Sequence, residues 1–133
     1  MLRGIADTHT LIWYLFGDHR LSATAKTFLE TTAAEGNQVG FSAITLAEIV
    51  YLAEKGRIPG ETFSRLLASL TMPDSVLVEI PFDRRIAEAL FRVDRLKVPD
   101  LPDRIIAATA LYLNVQLISR DAKIQVSGVA TLW

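Results

Sequence analysis

Asp7, Glu48, Asp103 and Asp121 lie far apart in the chain, yet each stands where a strand-like apolar run gives way to a helical one. Asp7 follows Gly4-Ile5-Ala6, and Glu48 comes soon after Val39-Gly40-Phe41. Asp103 opens the run from Arg104 to Leu113, and Asp121 closes the apolar stretch that begins at Val115. In an open parallel sheet the carboxyl ends of the strands form one edge, and ligands bind in the crevice there. Four carboxylates brought to that edge would repel one another unless a cation sat among them, and an all-oxygen donor set suits a hard divalent ion. The same residues also read as separate helix caps, because Asp is favoured at helix starts.

Local spacing supports the placement. Thr45-x-x-Glu48 has the capping-box interval and predicts Thr45 as an N-cap. Asp100-x-x-Asp103 has the same interval, with Pro102 in a first turn that tolerates its missing N–H. Asp7 is a good N-cap for the segment after it. Three of the four acids are thus expected at helix N-termini, where backbone N–H groups and the helix dipole keep a carboxylate ionised.

The elements that must position these acids follow from patterning. Residues 3–6, 38–41, 75–80, 115–119 and 129–133 read as short strands rich in Val, Ile, Leu and Phe. Helical patterns fill 8–16, 22–34, 45–55, 60–70, 83–95 and 103–113, with Gly and Pro as punctuation. Such alternation predicts an α/β domain with a mostly parallel five-stranded sheet and helices on both faces. Near-continuous apolar strands such as Val76-Leu77-Val78 suit a sheet buried on both sides.

The 133 residues suffice for one domain with a real core. Half are hydrophobic and 22% charged, which excludes a disordered chain. There is no cysteine, which removes disulfides, thiolate metal sites and thiol nucleophiles and fits a cytoplasmic location. The apolar run Leu11–Phe16 is too short for a signal sequence or a membrane span, so no membrane association is expected. Net charge is −1, which argues against binding nucleic acid by bulk charge. Setting aside the four acids leaves 11 acids against 14 bases, an acidic site on a mildly basic body.

Four stretches in order, IADTHTLIWYL, SAITLAEIVYLAEKGRI, LPDRIIAATALYL and LISRDAKI, together with PFDRRIAEAL, resemble the PIN-domain nucleases. Within that group the chain is most similar to the VapC toxins of bacterial toxin–antitoxin pairs, over nearly its whole length. The resemblance implies a single PIN domain over residues 1–133 that binds Mg²⁺ or Mn²⁺ and hydrolyses RNA as an endoribonuclease. It also implies a small antitoxin as partner and a homodimer. Carried over by motif, the four acids are Asp7, Glu48, Asp103 and Asp121. Asp103 takes the third place because it directly precedes Arg104-Ile105-Ile106-Ala107, which leaves Asp100 as a helix cap. Ser119 matches a Ser/Thr position that supports the acids. The implied products carry 5′-phosphate and 3′-hydroxyl ends.

Other residues carry weaker expectations. Asp7, Asp103, Asp121 and Glu48 are the candidate metal ligands, Asp7 and Asp103 the most direct, with Glu48 also the candidate to orient or deprotonate water. Arg104 and Arg120 adjoin acids and are expected either to meet RNA phosphates or to form ion pairs that hold the acids. His9 and His19 are expected to be structural, and Trp13, Tyr14 and Phe16 to be core or interface residues. A receiver-type phosphoacceptor domain is disfavoured: it needs an acidic pair after the first strand, where only Asp7 stands, and a lysine after the last. A PIN-like module kept only for protein binding, with a catalytically silent site, is the remaining alternative.

Overall fold

The computed structural model describes residues 1–125 and 127–133. Five strands form one sheet: β1 Leu2–Ala6, β2 Gln38–Ser42, β3 Leu77–Ile80, β4 Gln116–Ile118 and β5 Thr131–Leu132. Their spatial order is β3-β2-β1-β4-β5, and every pairing is parallel. The first strand is therefore central, and the chain crosses to one side of it for β2 and β3 and to the other for β4 and β5. That reversal makes the carboxyl end of β1 a topological switch point, where such sheets open a crevice.

Helices cover both faces: α1 Thr8–Phe16, α2 Ala23–Ala34, α3 Ile44–Glu54, α4 Thr62–Leu70, α5 Arg84–Ala89, α6 Leu101–Leu113 and α7 Ala122–Gln125. The two-residue side-chain period of the strands divides the core. Ile5 and Leu117 face a cluster built on α5 and α6, while Ala6 and Ile118 face one built on α1, α2, α3 and α4. At the centre, Gly40 leaves no room for a side chain, because a Cβ there would lie 2.9 Å from both Ile5 and Ile80. No helix among the described residues is long and apolar enough to cross a membrane.

The strands and helices match the patterning, with corrections at the ends. The pattern over 83–95 is helical only to Ala89, continues as a 3₁₀ turn at Leu90–Arg92, and ends at Val93 in extended geometry. The helix expected from 103 starts at Leu101, so Asp103 lies inside its first turn and does not open it. α7 was not anticipated; a single turn offers too little periodicity to be read. The expected capping box at Thr45 is absent. α3 begins at Ile44 with Ala43 as N-cap and no side-chain cap, and Thr45 is fully buried, its hydroxyl 3.0 Å from that of Thr8. A hydroxyl inside the fold found a buried partner, and the Ile44 N–H is met instead by Ser42 Oγ at 3.2 Å.

Candidate functional site

A cleft of about 550 Å³ opens at the carboxyl end of β1 and is lined by Asp7, Glu48, Asp103 and Asp121, with Asp100 beside them. Each acid arrives by a different route. Asp7 ends β1 and caps α1, its Oδ1 accepting from Thr10 N–H at 2.9 Å. The Thr10 hydroxyl donates to Ile118 O at 2.9 Å and Asp7 N–H to the same carbonyl at 3.2 Å, so the ends of β1 and β4 are tied together. Glu48 comes from the second turn of α3 and accepts a hydrogen bond from the Thr8 hydroxyl. Asp103 projects from the first turn of α6, where Asp100 Oδ2 accepts its backbone N–H at 3.1 Å. Asp100 is therefore the helix cap, and its carboxylate also borders the cleft.

Asp121 follows β4 and starts α7, with its Oδ1 accepting from Lys123 N–H at 2.8 Å. Fully buried Ser119 fixes it from below: its hydroxyl accepts Asp121 N–H at 3.0 Å. Thr8 and Thr45, the buried hydroxyls behind Glu48, were missed as parts of this site. Their signal is that of polar β-branched residues on apolar helix faces; at Thr45 it was read as capping chemistry, and at Thr8 it was not read at all.

The electrostatics are those of crowded anions. Burial first, then the charges of Asp100, Asp121, Glu48 and Asp7, pushes the Asp103 carboxyl up to about 7. Burial also raises Glu48, as do Asp100 and Asp7, while the Thr8 hydrogen bond and His9 pull it back. The expectation that helix N-termini keep these acids ionised is corrected here: Glu48 sits too deep in α3 to be at a terminus, and at Asp103 burial and like charge outweigh the dipole. Among the described residues no ion pair involves the four acids. No three described acidic or histidine side chains stand close enough to hold an ion directly. The oxygen-only donors fit Mg²⁺ or Mn²⁺ all the same, because Mg²⁺ usually keeps several waters and takes only one or two carboxylates.

The basic neighbours differ from expectation. The Arg104 guanidinium donates to Leu90 O at 2.8 Å and Val93 O at 3.1 Å, tying α6 to the 3₁₀ turn. It contacts neither the acids nor the cleft, which corrects both roles expected of it. Arg120 does border the cleft, with its guanidinium 4.6 Å from the centre of the Trp13 ring and no ion pair to Asp121. Trp13 is buried, as expected, and His9 is exposed on the cleft wall beside it, their rings 5.7 Å apart. Lys123 is also exposed at the rim.

Comparison with solved structures finds this fold elsewhere. A toxin–antitoxin complex from Klebsiella pneumoniae contains a chain with 29% identity and a TM-score of 0.69, covering 98% of this chain and 96% of that one. The VapBC2 complex of Rickettsia felis bound to promoter DNA matches with 19% identity and a TM-score of 0.72, covering 99% and 98%. DNA-bound VapBC of Salmonella typhimurium matches with 18% identity and a TM-score of 0.72 over the same shares. Curated protein sequences give no significant match. The PIN domain profile matches residues 5–128, from the middle of β1 past α7, and so takes in all four acids. A parallel sheet with its carboxylates at the switch point, matched by that profile over nearly its whole length, makes this chain a member of the PIN domain family.

Proposed function

We propose that the protein is a metal-dependent endoribonuclease and the toxin of a toxin–antitoxin pair. The observation that carries this is the convergence of Asp7, Glu48, Asp103 and Asp121 on one cleft, with Asp103 raised by burial and then by its neighbours' charge. Such a site is unfavourable as it stands and favourable around a cation. Asp7, Asp103 and Asp121 would hold Mg²⁺ or Mn²⁺, one or two of them directly and the rest through its waters, with Glu48 near them. When bound, the ion supplies Lewis acidity toward a phosphodiester and eases deprotonation of water. Glu48, oriented by Thr8 and made more basic by burial, takes a proton from the attacking water. The water oxygen bonds to phosphorus, the bond to the 3′ oxygen breaks, and that oxygen leaves as a hydroxyl once protonated. The products are a 5′-phosphate and a 3′-hydroxyl. Ser119 keeps Asp121 in place throughout.

The likeness to chains in toxin–antitoxin complexes supports a small antitoxin as partner. A cationic side chain from that partner could occupy the carboxylate cleft in place of a metal ion. A homodimer and a cytoplasmic location complete the reading.

Thermal melting with and without Mn²⁺ tests it without knowledge of the RNA target. A ligand that binds only the folded state adds about 2.7 kcal/mol at a hundred times its Kd. Wild type should gain stability of that order, and Asp7→Asn and Asp103→Asn should gain far less. The same variants should abolish Mn²⁺-dependent cleavage of RNA into 5′-phosphorylated fragments. No shift with metal in wild type would mean that the acids share no ion and would make the domain a binding module.

A further inference from the structure

The cleft does not end at its carboxylates. His9 and Trp13 form part of its wall, and the same two side chains line a second pocket of about 360 Å³. α1, the loop after it and the turn after α3 build this pocket; it carries Arg20 and Arg57 against a single acid, Asp18. Arg20 pairs with Asp18 at 2.7 Å, and its guanidinium stands 5.2 Å from the centre of the Trp13 ring. Arg120, from the carboxylate side, stands 4.6 Å from the same centre. Arg57 is exposed, with no ion pair or side-chain hydrogen bond among the described residues. Trp13, itself buried, serves as a platform for two guanidinium groups and not as a surface for stacking bases.

The sign of the charge thus reverses across one indole ring. A phosphodiester reaches the carboxylates only with a cation between them, whereas the neighbouring phosphates of the same strand need fixed positive charge. The second pocket supplies that charge, with the apolar side chains of Ile12, Phe16 and Ile58 beside it. We infer that this pocket is a subsite for the single-stranded RNA backbone adjoining the cleaved bond, with Arg57 and Arg20 receiving phosphates and Arg120 joining the two pockets. The inference rests on the nuclease reading. A peptide segment of a partner protein is the other occupant of comparable size, but continuity with the carboxylate cleft favours the strand that is cut there.

The test is binding of a short fluorescent oligouridylate to the intact protein by anisotropy, across a salt series with Ca²⁺ replacing Mg²⁺ to prevent cleavage. Each single-strand phosphate contact contributes about 0.7 to the slope of log affinity against log salt. Arg57→Ala and Arg20→Ala should each weaken binding several-fold and lower that slope by about 0.7, while Arg92→Ala, at a residue that lines neither pocket, should change neither. All three should keep the wild-type Mn²⁺ melting shift. If Arg57→Ala and Arg20→Ala bind like wild type while wild type retains its Mn²⁺ shift, the subsite is refuted and the nuclease reading survives. Loss of antitoxin binding by these variants with RNA binding intact would assign the pocket to the peptide and overturn the inference. If wild type shows neither oligonucleotide binding nor a Mn²⁺ shift, both readings fall together.

Discussion

Asp103 is the most revealing single residue. Its carboxyl is raised to about 7 by burial and by four neighbouring acids, against about 3.9 in an unfolded chain. Between those values the folded state holds a proton that the unfolded state has released, so stability must fall as pH rises through that window. The metal-free protein should therefore lose stability from about pH 4 to about pH 7, and Asp103→Asn should flatten that loss. Urea unfolding in a chelator at successive pH values measures it; a wild-type curve parallel to that of the variant would show that the carboxyl is not perturbed. Mn²⁺ stabilisation should strengthen over the same range, because the proton and the ion compete. The four acids themselves were legible from their places after apolar runs. Thr8 and Thr45 were not, because hydrogen bonds between side chains on two different helices leave no trace in local spacing. Arg104 was misread for a related reason: its neighbour in sequence is an acid, but its partners are carbonyls of the 3₁₀ turn.

At the scale of elements, strand positions were readable because the carboxyl halves of β1, β2 and β4 are buried on both faces and so are mostly apolar. Their order was not, since nothing in a strand's sequence says which neighbour it will take. Helix ends failed where the chain used unusual caps. Asp7, Ser22, Asp83 and Asp100 all cap as their types suggest, but α3 starts without a side-chain cap, and α5 hands over to a 3₁₀ turn. Gly40 shows how tightly the elements meet: a Cβ there would press on Ile5 and Ile80 at 2.9 Å. Gly40→Ala should therefore cost about 1–3 kcal/mol, the usual penalty for overpacking, as read by denaturant unfolding. A neutral result would show that β1 and β3 can part without loss. Because Ile5 lies one residue before the Ala6–Asp7 junction, that variant should also weaken Mn²⁺ stabilisation.

The whole molecule leaves large apolar side chains in solvent, with Phe91 93% and Leu96 84% exposed. These two side chains, five residues apart, are the surface assigned to the proposed dimer. Light scattering of the isolated protein should give about twice the 14.7 kDa chain mass, and Phe91→Asp should shift it toward the single-chain value. A wild-type mass of one chain would remove the dimer from the proposal. The central position of β1 has a temporal consequence. Asp7, which follows it, is made more than a hundred residues before Asp121. A growing polypeptide that has not reached Asp121 lacks the full set of four carboxylates. On the proposed nuclease reading, cutting power therefore arises in one step, once Asp121 has been made and has joined the other three acids.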